Sequence, residues 1–111
     1  MAKWDRDDTI IVLEAYRNNA TSSQIETIAK IIGKTPNSIR MKMGNFIHLD
    51  PHAEGNGLDH PSRLDADVWN EYSMDWSRLT HDAKRAKERK IGTIESQDDS
   101  IIGRIIKTFF K

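Results

Sequence analysis

The sequence predicts an all-α fold: a four-helix domain that contains a helix-turn-helix and is followed by a flexible C-terminal tail. Three observations carry that expectation. Apolar residues recur at spacings of three and four through most of the first ninety residues. Start and stop residues cut the stretch into helix-sized pieces. Two of those pieces meet across a very short connection holding Gly33 and a Thr35-Pro36 start.

The first helix begins at Asp5, an N-cap residue, with Asp7 and Asp8 in the first turn, where negative charge favours the positive end of the helix dipole. It ends near Asn18 and Asn19. Ile10, Leu13 and Tyr16 or Arg17 give the helical spacing, and Ile11, Val12 and Ala15 widen the stripe, so this helix is expected to be packed on more than one side. In the second helix Ser23-x-x-Glu26 reads as a capping box, and Ile25, Ile28, Ala29 and Ile32 share one face. Gly33 stops it, because glycine takes the left-handed conformation without steric cost. Thr35-Pro36 starts a third helix running to about Ile47, with Ile39, Met43 and Phe46 inward. At 100° per residue, Asn37, Met41 and Gly44 face away from that side, flanked by Ser38, Arg40 and Asn45, with Lys42 at the edge.

A polar connection follows over residues 48–62, and a fourth helix starts between Ser62 and Asp65. Val68, Trp69, Tyr72, Trp76 and Leu79 form its inner face, opposite Asp67, Glu71, Asp75 and Arg78. It is expected to continue into the basic run Lys84-Arg85-Ala86-Lys87-Glu88-Arg89-Lys90, which is too polar to be buried. Residues 91–100 read as a linker, and residues 101–110 as a final apolar stretch. The domain is therefore placed at residues 1–90 and the linker and tail at 91–111.

Composition bounds the function. The 111 residues leave room for one small domain, and no apolar run is long enough for a membrane span, so a soluble, cytoplasmic protein without a membrane partner is expected. Cysteine is absent, which excludes thiolate zinc sites and cysteine nucleophiles. Seventeen basic residues balance seventeen acidic ones, yet the charge is striped. Residues 27–49 hold four basic residues and no acidic one, whereas residues 50–82 hold two basic against eight acidic. A local field can coexist with zero net charge.

That cationic stripe coincides with the helix-turn-helix. A helix fits the DNA major groove, where Asn reads adenine and Arg reads guanine. Asn37, Ser38, Arg40, Met41 and Asn45 are thus expected to face bases, and Lys30, Lys34 and Lys42 to hold phosphates. The alternative for the same residues is an ordinary helical hairpin with a solvated basic face. His48, His52 and His60 alternate with Asp50, Glu54 and Asp59, but their spacing matches no zinc pattern, and no metal or cofactor is expected. Trp4, Trp69, Tyr72 and Trp76 could be read as a stacking platform for single strands, although their spacing suits a core better. No catalytic constellation is visible.

Taken together, Trp4-Asp5-Arg6-Asp7-Asp8-Thr9-Ile10, the stretch Gly33-Lys34-Thr35-Pro36-Asn37-Ser38 followed by Met41-Lys42-Met43-Gly44-Asn45-Phe46, then Leu49-Asp50-Pro51 and Val68-Trp69-Asn70-Glu71-Tyr72, resemble the N-terminal helix-turn-helix domain of HNH restriction endonucleases. The resemblance covers roughly the first eighty residues. It implies a double-stranded DNA partner and a nuclease domain or other protein partner, in a setting of restriction of foreign DNA. Arg104-Ile105-Ile106-Lys107-Thr108-Phe109-Phe110-Lys111 resembles the lead-in to the nuclease core of that family. No His-Asn-His set follows, so hydrolysis is not carried over to these residues and the chain is not expected to be an enzyme. A piece of a longer active endonuclease, a truncated product, a stand-alone module and a protein-interaction adaptor all stay open at this point.

Overall fold

The computed structural model of the chain describes residues 3–55 and 61–94. Within them the fold is all-α, with five helices: α1 (Arg6–Arg17), α2 (Ser22–Ile32), α3 (Pro36–Leu49), α4 (Arg63–Ser73) and α5 (Ser77–Ile94). Four of the starts follow side-chain capping chemistry. Asp5 and Asp8 form a capping box at α1, Thr35 with Pro36 at N1 opens α3, and Ser62 with Asp65 forms a box at α4. The start of α2 differs from expectation: the box is Thr21 with Gln24, two residues before Ser23 and Glu26. Both frames satisfy the S/T-x-x-E/Q pattern. The earlier one also puts Ala20 at N′ and Ile25 at N4, the positions of a hydrophobic staple, and both pack into the core.

Helix α1 is the centre of the molecule. Residues 8–15 are all buried, so the helix is enclosed on every side, and α2, α3, α4 and α5 all pack against it. Its C-terminal end joins an aromatic cluster. Tyr16 lies 6.1 Å from Phe46 of α3 and 6.3 Å from Trp69 of α4, and Trp69 meets Trp76 edge-on at 5.3 Å. Arg17 closes the outer side, its guanidinium 3.9 Å from the Trp76 ring. These aromatics are interior packing, as their spacing suggested, and not a stacking platform.

The fourth predicted helix is two. It breaks over Met74, Asp75 and Trp76, where the Asp75 N–H donates to the Tyr72 carbonyl and the Asp75 carbonyl receives the Arg78 N–H, in two successive turns. Unbroken, residues 63–94 would make a rod of about 48 Å, longer than the 41 Å greatest extent of the molecule. Its second half would then have nothing to pack against. The break folds Trp76 back onto Trp69 and lays Leu79, Ala83, Ala86 and Ile91 against the rest of the core. Helicity runs to Ile94, so residues 91–94, expected as linker, belong to the domain. The tail itself, at residues 95–111, lies outside the described residues.

The basic run on α5 is only in part the solvated helix end that its composition suggested: Lys84, Arg85, Glu88 and Arg89 are exposed, but three of its cations are held by α1 and the cap before it. Lys87 donates to Glu14 at 2.6 Å, with both side chains about nine-tenths buried. Arg89 makes a two-pronged pair with Asp7, both bonds 2.8 Å. Lys90 reaches Asp5 at 2.6 Å and Asp8 at 3.0 Å. The acidic first turn of α1 and the last turns of α5 thus form one ion-pair seam. On the other flank of α1, Arg6 pairs with Glu71 of α4 at 2.7 Å.

The seam makes stability depend on acid. Hydrogen bonds from Arg89 hold the Asp7 carboxyl below its ordinary range, and Arg6 does the same to Glu71. At Asp5, burial opposes the charge, but hydrogen bonds from Lys90 and the Asp8 N–H outweigh it and the pKa is again lowered. Groups depressed in the folded state stabilise it above the unfolded carboxylate range, about pH 4, and that contribution vanishes as pH falls through the folded values. The melting temperature followed by circular dichroism should therefore hold between about pH 7 and 5 and drop below about pH 4. Added salt should shrink the drop.

Both tyrosines shift the other way. Burial, with a hydrogen bond donated to Asp50 by Tyr16 and to Asp82 by Tyr72, pushes each phenol up to about 12. Their neutral forms favour the fold below the unfolded value near 10, and this contribution is lost as pH rises through the folded value. An absorbance titration of tyrosinate should show both rings ionising well above a free tyrosine standard. Ordinary titration of either ring would contradict its hydrogen bond.

Candidate nucleic-acid interface

Helices α2 and α3 are joined by residues 33–35. Gly33, with φ of 69°, takes the left-handed conformation that ends α2, and the Lys34 N–H bonds back to the Ala29 carbonyl. A side chain at position 33 would meet nothing within 4 Å, so the requirement for glycine is conformational and not one of space. Thr35 then caps α3 through the Ser38 N–H at 3.1 Å. No acidic residue stands in the first turn of α3, which leaves its positive end uncompensated.

Ile39 and Phe46 are fully buried, and Met43 packs at the edge of the core. This fixes the outward side. Asn37, Arg40, Met41 and His48 are exposed, Met41 by 56%, and Gly44 lies half-buried among them. The amide of Asn37 reaches the Met41 sulfur one turn on, at 3.9 Å. Arg40 and, on α2, Lys30 are exposed and have no ion-pair partner among the described residues.

Four of the expected contact residues are used differently. Lys42, expected to reach phosphate, is buried, with its ammonium 2.7 Å from Asp65 Oδ1 and 4.5 Å from the centre of the Trp4 ring. Asn45, expected to face bases, turns sideways and donates its amide to Asp65 Oδ2 at 2.8 Å. Lys34, also assigned to phosphate, keeps 6% of its side chain exposed, 3.6 Å from Asp8 and 5.1 Å from the Trp4 ring. Ser38 is half-buried and shares a hydrogen bond with Thr35 at 2.9 Å, which ties it to the cap. In each case an internal carboxylate or cap outcompetes solvent, because an ammonium or amide at a packed helix edge is costly to leave without a partner.

Asp65 is the residue that sequence reasoning missed. The sequence placed it only at the start of the fourth helix; there it closes a capping box with Ser62, and a capping carboxylate has lone pairs to spare. Oδ2 receives the Ser62 N–H and the Asn45 amide, and Oδ1 receives Lys42, so one fully buried carboxylate clamps α3 to the start of α4. Trp4 is the second omission. Read as core, it does pack at the edge of the core, and its ring also meets two ammonium groups at the side of α3.

Among the described residues no group of three His, Asp or Glu could hold a metal. Asp59 and His60, two of the six residues considered for one, lie outside them. No helix is long and apolar enough to cross a membrane. No protein-family model, curated protein or solved structure matches the chain.

Clamp and outward face should separate under mutation. Asp65→Ala strands the Lys42 ammonium and the Ser62 N–H, and should cost about 3–5 kcal/mol in urea unfolding, in line with breaking one half of a buried pair. Arg40→Ala, on the open face, should stay within about 0.5 kcal/mol of the parent.

Proposed function

We propose that the chain binds double-stranded DNA by laying α3 in the major groove, as the recognition module of an HNH-type restriction endonuclease. The observation that carries this reading is the division of labour around α3. Its polar residues on the α4 side are consumed by the clamp, while Asn37, Arg40 and Met41 stand outward without an internal ion pair. An α-helix about 10–12 Å across fits a groove about 12 Å wide. Arg40 suits the paired acceptors of guanine, Asn37 the edge of adenine, and the Met41 thioether the thymine methyl. Residues 27–49 contain no carboxylate to repel the backbone. Lys30 supplies a phosphate contact, and the uncompensated start of α3 can receive another.

In this reading the chain recognises DNA and hydrolysis belongs to an HNH core, consistent with the resemblance of its first eighty residues. A cytoplasmic location, where foreign DNA arrives, suits that role. The adaptor alternative draws on the acidic side of α4, but Glu71 there is already bracketed by Arg6 and Arg78.

Binding selection from a random duplex pool, followed by titrations at several salt concentrations, tests the proposal. Arg40→Ala should weaken the selected site by about 1–3 kcal/mol and relax preference at one base pair. Lys30→Ala should weaken all duplexes alike and reduce the salt slope by about one. Helical circular dichroism should be unchanged in both. Unaltered affinity in both variants would remove α3 as the reading helix.

A further inference from the structure

The phosphate role assigned by sequence to Lys42 cannot be filled by a buried ammonium. We propose that Lys3 and Arg63 fill it: two exposed cations, brought by separate segments to the flank of α3 where Lys42 is withdrawn, bind phosphates of the DNA that α3 reads. The inference rests on the reading of α3 given above and adds to it a second line of backbone contact.

The placement follows from the clamp. The Lys42 ammonium sits between the Trp4 ring, at 4.5 Å, and Asp65, at 2.7 Å. Lys3 is the neighbour of Trp4, and its carbonyl accepts a hydrogen bond from Lys34 Nζ at 3.4 Å. This segment is therefore pinned across the turn that precedes α3. Arg63 is the first residue of α4, two positions before Asp65 and next to the Ser62 cap. Both side chains are exposed and have no internal ion pair among the described residues.

The surrounding charges favour an anion there. Asp5 is held by Lys90, and Asp65 by Lys42 and two further donors. Asp67, one turn along α4, is exposed but forms no ion pair with Arg63. Flexible cations without a partner suit phosphate, which asks for charge near a track and not for fixed geometry. By contrast, the exposed Lys84 belongs to α5, which docks against the acidic first turn of α1.

Anisotropy titrations of a labelled random-sequence duplex with the full chain, over a series of salt concentrations, test this. Lys3→Ala and Arg63→Ala should each lower the magnitude of the log affinity against log salt slope by about one, and together by about two. Thermal unfolding and base preference should not change. Lys84→Ala should leave the slope as it was. If Lys30→Ala reduces the slope while Lys3→Ala and Arg63→Ala do not, the flank assignment is wrong and the reading of α3 stands. If the unsubstituted chain binds no duplex at low salt, both fall.

Discussion

A carboxylate enclosed by protein must find a cation or be neutralised, because desolvation costs an isolated charge far more than any single packing contact returns. This constraint organises the molecule. Asp8, Glu14 and Asp65 are all deeply buried, and each is met by lysine: Asp8 by Lys34 and Lys90, Glu14 by Lys87, Asp65 by Lys42. Two of the three belong to α1, whose enclosure would otherwise leave acidic groups stranded. Apolar side chains supply most of the driving force, but they are non-directional. The ion pairs specify which helix edge meets which, and so the register of α5 on α1 and the angle of α3 at the start of α4.

The same constraint decides which surface remains for a partner. Lysines drawn inward to neutralise carboxylates are lost to phosphate, however basic their segment looks. Among the described residues, the exposed cations left without an ion pair include Lys3, Lys30, Arg40, Arg63 and Lys84, in five parts of the chain, and the local charge count over residues 27–49 selects only Lys30 and Arg40 of these five. A helix held on one side by a buried carboxylate and on another by Ile39 and Phe46 has little freedom to rotate. Its outer residues are consequently presented in one orientation. Under the proposed DNA reading, that orientation would favour paired hydrogen bonds to base edges, which misplacement weakens.

The aromatic cluster does related work on the apolar side of α3. Phe46 and Tyr16 join the helix to α1, while Trp69 and Trp76 bring in α4 and the corner leading to α5. The break at Met74 to Trp76 is what lets one stretch serve two purposes. Its first half completes the aromatic cluster, and its second half returns along α1 to close the ion-pair seam.

Much of this was legible in the residues. The all-α class, the enclosure of α1, the end of α2 at Gly33, the start of α3 at Thr35-Pro36 and the inward set Ile39, Met43 and Phe46 depend on local chemistry: caps, glycine conformation and a 3.6-residue period. The capping frame of α2 shifted by two residues because two overlapping frames meet the same local rule. What periodicity could not reach was pairing. Lys42 and Arg40 are both basic residues away from the apolar centre of α3, and only the approach of α4 makes one an internal group and leaves the other outside. Likewise the polar run on α5 could be read as solvated until Asp5, Asp7 and Glu14 lay opposite it. Sequence determined where helices begin, end and turn their apolar sides, since neighbouring residues set those features. Tertiary structure alone decided which charges face each other, because Coulomb attraction and desolvation depend on distances between segments that are remote along the chain.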